Sequence, residues 1–592
     1  MALAQRRSFL GLPKASESLA SAAVPAQNAP SAALPPLAVI VLNRLAYGPR
    51  QGEIDAFNQL GADDDARLAA WVGQQLSPDT IDDAECQQAL SNARLKIRYE
   101  AYTDSSDSSK SYPARNDAAP LGFVLSAKSN DELTQELWPR SQYSVSMHYT
   151  ERTRPFDEVR VATWIRAVQS KRQLYEVLVD FWHNHFSVNG TSESSIMATF
   201  PVYDRIIRAN ALGNFRSFLE AVAKSTAMMY SLDNYNNRAS GAEGGNENYA
   251  RELFELHTFG SDNYYKFYDD RTAIPKLDDG VTPAGYIDDD VYEAASCLTG
   301  WTINTSNGLY TFNESYHYEG VKEVLGTLIR TRDVGAENEA KLVFDMLAKH
   351  PKVAAYVCKK LCRRLIADEP PQAAIDAAVA TWMANLDNPN QLREVVRTIV
   401  TSAEFAAAWA QKVKRPFEAV AAYLRATGAQ LPVDQTSYDG KESGGGFWGT
   451  IMYQMNGTGH KLFEWPTPTG HPDIASYWIS SNSTLRRWNL PFLLVQSWGG
   501  NITTPEISGW DPTSEARSVT QIVDAWIARL FGYAISDTVR SQVIAFFAQG
   551  GDAAQPPAPT PKAPDWGKSD GLKQRYQAMI QLLAASPEFH SR

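Results

Sequence analysis

A mainly α fold is what this 592-residue sequence predicts, and three observations carry the expectation. From about residue 37 onward, apolar residues recur at helical steps of three and four. Alternating runs of strand type are few. No period of about 20–50 residues repeats, which sets a solenoid aside. The length exceeds what one simple core fills. The expectation is therefore two to four structural units, or one large multi-helix globular fold with long irregular aromatic and Gly-rich insertions.

The elements follow in order. Residues 1–36, "MALAQRRSFLGLPKASESLASAAVPAQNAPSAALPP", stand outside the fold. "RRSFLGL", with Arg6 and Arg7, is similar to a twin-arginine export signal, but Lys14 and Glu17 interrupt the apolar stretch after it. The other reading is a disordered Ala/Pro-rich arm. Residues 37–430 read as a helical core domain. "LAVIVLNRLAYGPRQGEIDAFNQLG" gives two helices around a Gly-Pro break, and "DARLAAWVGQQL" a third. "TDSSDSSKSYPARNDAAP", 103–120, reads as a polar loop. Helices resume with "NDELTQELW" and over 157–186, and a dense helical block spans 336–427. "GLYTFN", 308–313, is a possible short strand, and 261–287 a long connection of the kind that often serves function. Residues 431–515 read as an irregular aromatic and Gly-rich region on that core. Residues 516–592 return to helices around the Pro-rich linker 555–564.

Composition narrows the function. Net charge is −11 and spread along the chain, so no basic stripe suits nucleic acid. No window of about 18 apolar residues predicts a transmembrane span. Four cysteines in this length do not make a disulfide scaffold. Cys358 and Cys362 share a helix face and read as buried thiols. Fifteen Trp and 26 Tyr suit either a large aromatic core or a ligand cleft.

Four stretches are candidates for chemistry. In "QLYEVLVDFWHNHF" a helix places Leu174, Leu178, Phe181 and His185 on one stripe and Glu176, Asp180 and His183 on another. If the helix instead ends near 183, His183 and His185 point the same way and would share an ion. In "NENYARELFELHTFG", Asn248, Glu252 and Glu255 lie on one face, and Glu247–Arg251 is an i,i+4 pair. Two carboxylates on one face bind a cation, receive basic side chains, or act as an acid/base pair. In "YIDDDVYEAASCLTGW", Asp288 or Asp289 suits a helix N-cap and Gly300 the helix end. "YHYEGVKEVLG" holds His317 and Lys322. There is no HExxH, no zinc ribbon, no G-x-S-x-G and no phosphate loop.

Taken in order, the blocks "LNRLAYGPRQGEIDAF", "DFWHNHFSV", "ENYARELFELHTFG", "DDDVYEAASCLTGWT", "HYEGVKEVLG", "KRPFEAVAAYLRATGA" and "GHKLFEWPTPTGHPD" resemble the bacterial family known as domain of unknown function 1800. The resemblance covers roughly residues 38–500. It departs at Tyr318, where Asp usually follows the His, and at His471, where Trp usually follows the Gly. It implies a large, mostly helical and often exported bacterial protein, and a sulfatase-like companion protein as partner. It implies no reaction.

Two readings of function stand side by side. In the first, the chain is an enzyme of the periplasm or cell envelope, a metal-dependent hydrolase or oxidase. His183, His185 and His317 would hold a divalent or transition metal ion, with Glu252, Glu255 and Arg251 as catalytic groups and Trp465 and Trp301 against the substrate. In the second, it is a non-catalytic envelope scaffold or partner-binding protein, and the same residues form a buried structural network. A cytoplasmic location is the alternative if the N-terminal arm is not a signal. Ligand atoms converging on one point would favour the first reading. Arg–carboxylate forks in the same space would favour the second.

Overall fold

Helices make up 59% of the described residues in a computed structural model of the protein. It describes residues 34–142, 146–239, 245–265, 271–431, 446–495, 504–512, 514–558 and 571–592. The fold is mainly α, as the apolar spacing predicts. Met1–Pro35 separates as its own unit, and Pro36–Arg592 forms the other. Within the second unit one buried cluster runs from Ala38 to Phe589, so the regions 37–430, 431–515 and 516–592 share a core. The expected export signal and most of the linker 555–564 lie outside the described residues.

The elements that build the site are α1 (Leu37–Arg44), α2 (Tyr149–Gln169), α3 (Gln173–Phe186) and α4 (Ser194–Asn210). They are joined by the short α5 (Asn248–Glu252), which runs into a π-helical turn, Leu253–Thr258. Then come α6 (Asp288–Leu298), α7 (Pro351–Leu365), α8 (Pro416–Ala426), α9 (Val519–Phe531) and α10 (Gly571–Ala584). Helix α2 packs on α4 and α8, and α3 on α4. The reason is visible in the sequence of α3: Leu174, Leu178, Phe181 and His185, at four- and three-residue steps, are all buried. Cys358 and Cys362 are buried free thiols on α7.

Strands are short and antiparallel. Trp301–Ile303 pairs with Tyr310–Phe312, inside the predicted 308–313 segment, and Lys322–Val324 with Thr327–Ile329. Three expectations change. The stretch 103–120 is not all loop, because Arg115–Pro120 pairs with Arg94–Tyr99. The alternation in "RLKIRY", with Leu95 and Ile97 buried, is the signal for it. Region 431–515 is less irregular than its composition suggests, since Gly446–Gly457 and Ser481–Val495 are helices. At the start of α6 the capping carboxylate is Asp290, which accepts from the Ile287 N–H at 3.0 Å. Asp288 instead receives Arg251, at 3.0 Å. Gly300 follows that helix with φ +87°, as expected of a helix end.

Candidate functional site

Helix α3 does not end at His183. It continues to Phe186, and Ser187 follows at φ 27°, ψ 69°. A non-glycine residue with positive φ is strained and is often found at functional sites. The two histidines therefore diverge. The His185 Nε2–H donates to the His257 carbonyl at 3.2 Å, and its ring lies among Phe181, Trp182 and Phe186. Burial, then Lys360 and His257, depresses its pKa strongly, so it is a neutral core residue.

His183 turns the other way. Its Nε2 lies 3.0 Å from Asp204 Oδ1 on α4. A carboxylate only accepts, so Nε2 carries a proton and donates it, and in the neutral ring the free lone pair is then on Nδ1. No other hydrogen bond to the ring is found among the described residues. Asp204 is locked in turn: Arg208 Nε donates to its Oδ2 at 2.9 Å, and Arg208 also forks onto both oxygens of Glu176, at 3.0 Å each. Burial opposes the charge of Asp204, but Arg208, then His183 and Arg166, outweigh it and hold the carboxyl well below the usual range. Glu176 and His183, on one stripe of α3, are thus joined through Arg208 and Asp204.

The ring of His183 borders a cleft of about 20 Å³, shared with Asp180, Asn184, Ser187, His460 and His471. That is room for about one water molecule. Under it lies a buried ionic floor. Asp180 pairs with Arg415 and, at 3.1 Å, with Arg364; Glu418 pairs with Arg364, with Arg415 at 3.2 Å and with Arg592 at 3.3 Å. The outer wall comes from residues 460–471. His460 Nδ1 accepts from the Phe417 N–H at 3.3 Å. His471 Nε2 donates to the Lys461 carbonyl at 3.0 Å, which leaves its buried Nδ1 without a hydrogen-bond partner among the described residues. Burial lowers both, His471 to about 4. Trp465 lines the rim, 4.7 Å from the His471 ring.

The other expected residues lie elsewhere. His317 is buried between Thr299, whose carbonyl accepts from Nδ1 at 2.9 Å, and Glu339, 3.2 Å from Nε2. Lys322 reaches the same carboxylate at 2.7 Å. The structure does not bring His183, His185 and His317 together, because each ring nitrogen that is bonded faces a different element. No group of three or more His, Cys, Asp or Glu is arranged to hold a metal among the described residues. Arg251 holds Glu247 at 2.7 Å, the expected i,i+4 pair, and Asp288. Glu252 and Glu255 do not line the cleft. Burial, and then Glu255 beside it, pushes Glu252 up to about 7. Trp301 is fully buried against Tyr310 and Phe344, with Lys224 over its face, so it presents no surface to a ligand. Sequence reasoning missed Asn184, Asp204 and His460. The one available signal for Asp204 was an aspartate inside the apolar run "FPVYDRII", four residues before Arg208.

A mainly helical protein with a histidine-lined cleft set on a buried ionic network is the class these features define. The chain belongs to the DUF1800 family of proteins of unknown function, whose model matches residues 40–591. No curated protein and no solved structure matches it.

Proposed function

We propose that the chain is a hydrolase in which His183, oriented by Asp204, acts as general base on a water in the cleft. The observation that carries this is the His183–Asp204 pair at 3.0 Å beside a cavity of one-water size. A carboxylate that fixes the tautomer and stabilises the imidazolium is the usual way a histidine is tuned for proton transfer. In this reading His183 takes the water proton on Nδ1, Asp204 stabilises the resulting cation, and His460, His471 and Trp465 border the entering substrate. Export to the cell envelope, suggested by Arg6 and Arg7, and a sulfatase-like companion belong to the same proposal.

A second reading, a non-catalytic envelope scaffold, has its own observation. Arg–carboxylate pairs occupy the space beneath the cleft, and such networks fix one packing arrangement.

The test uses the purified full chain with a panel of chromogenic esters, amides, glycosides and phosphoesters, beside His183→Gln. Turnover that is lost in a variant with unchanged circular dichroism and melting supports the hydrolase. Turnover equal in both, or none in either, overturns it in favour of the scaffold. Elemental analysis of the same samples tests the metal expected from the sequence: near-stoichiometric metal lost in His183→Ala/His185→Ala would make that pair a ligand set.

A further inference from the structure

A cavity of about 620 Å³ lies far along the chain from the residues of the His183 cleft, between the loop after α1 and the C-terminal helices. Its volume falls within the roughly 300–1,000 Å³ of small-molecule sites. Three aromatic side chains contribute to its lining. Trp510 and Tyr576 stack at 4.0 Å, and the Trp526 Nε1–H donates to the Tyr576 hydroxyl at 2.8 Å. These bonds satisfy the polar atoms of Trp526 and Tyr576, and the Trp510 Nε1–H donates to Glu515 at 2.8 Å. They form a rigid wall of which only a small part is exposed, the largest share on Trp510.

The charges around it are unequal in their partners, and the two with no ion pair among the described residues are the half-buried Arg50 and the exposed Asp55. Arg517 is held by Glu515, at 2.9 and 2.6 Å. Arg529 is paired with Glu506 and donates to the Ala426 carbonyl at 2.7 Å. Arg50 also lines the cavity, half-buried, and its guanidinium has no hydrogen-bond or ion-pair partner among the described residues. Its backbone alone is bonded, the N–H to the Glu53 carboxylate at 2.8 Å and the carbonyl to the Glu53 N–H at 3.2 Å. A guanidinium offers a planar fork of donors that matches a carboxylate or a similar oxyanion.

We infer that this cavity binds a small organic anion with a flat apolar body, its oxyanion on Arg50 and its ring against the Trp510, Trp526 and Tyr576 wall. The inference does not depend on the hydrolase proposal, since none of these residues lines the His183 cleft.

The probes are 2-naphthoate and its neutral isostere 2-naphthamide, titrated into the full chain by calorimetry. Two variants accompany the wild type. Arg50→Gln removes the cation. Ala528→Phe fills the cavity from an exposed position on α9 without removing a core side chain. The expected result is saturable one-site binding of naphthoate, weaker by about tenfold or more for naphthamide and in Arg50→Gln, as for loss of a charge-assisted contact. Binding is lost in Ala528→Phe while its melting temperature is retained. No heat with naphthoate, equal affinity for the amide, or affinity unchanged in either variant overturns the inference.

Discussion

Asn184 grips the backbone of His471 at two points. Its Oδ1 accepts from the His471 N–H at 2.6 Å, and its Nδ2 donates to the His471 carbonyl at 2.8 Å, across 287 residues of sequence. The central residue of W-H-N-H-F thus holds the outer wall of the cleft against α3. Gly470 permits the approach. Its φ is +73°, and a Cβ there would sit 2.2 Å from the Asn184 carbonyl oxygen.

Gly470→Ala should therefore cost about 2–3 kcal/mol, from backbone strain and the clash together. Asn184→Ala should cost about 1–3 kcal/mol, because it leaves two backbone groups of His471 unpaired. Urea unfolding of both variants checks this. Midpoints equal to the wild type would mean that the clamp contributes nothing to stability.

Asp204→Asn keeps an acceptor for His183 but removes the charge that Arg208 and Arg166 face. Breaking a buried pair of this kind costs about 3–5 kcal/mol at pH 7. The sign of its pH dependence follows from the depressed carboxyl of the folded state. Stability from Asp204 is fully present above the unfolded value of about 3.9 and is lost as pH falls below it. The gap between wild type and variant should narrow steadily in unfolding experiments from pH 5 downward. A constant gap would show that the charge is not what stabilises the site.

Glu252 has the opposite sign. Its folded pKa, about 7, lies above the unfolded value, so its contribution is fully present below about pH 4.3 and is lost as pH rises through 7. Glu252→Gln should match the wild type near pH 4 and exceed it at pH 8 by about 1–2 kcal/mol, after discounting for solvent screening of a half-buried group. Differential scanning calorimetry at the two pH values decides it. A variant less stable at pH 8 would indicate a favourable partner for the carboxylate instead.

Lys322 and Glu339 are fully buried and 2.7 Å apart, with His317 on the same carboxylate. Lys322→Met alone should destabilise by about 3–5 kcal/mol, because it strands Glu339. Lys322→Met with Glu339→Leu should recover most of that loss. Melting temperatures of the single and double variants give the coupling. Equal losses in both would mean that the pair matters through packing rather than charge.

The sequence by itself determined the helices, because apolar spacing is a local property. The stripe of Leu174, Leu178, Phe181 and His185 specifies a buried face whatever it packs against. It also determined the Glu247–Arg251 pair, which lies within one helical turn, and the family, through ordered local blocks. It did not reveal strand Arg115–Pro120, whose partner lies in another segment, or the helices within 431–515, where glycine and aromatic content masks periodicity. The site was decided by tertiary structure alone. Asp204 meets His183 from a second helix, Asn184 meets His471 across the chain, and His317 finds Glu339 instead of the other histidines. Periodicity tells which way a side chain leaves its helix. Which partner waits there depends on how distant segments pack, and the charges of Glu418 and Glu339 are stable in the interior only because that packing delivers Arg364 and Lys322 to them.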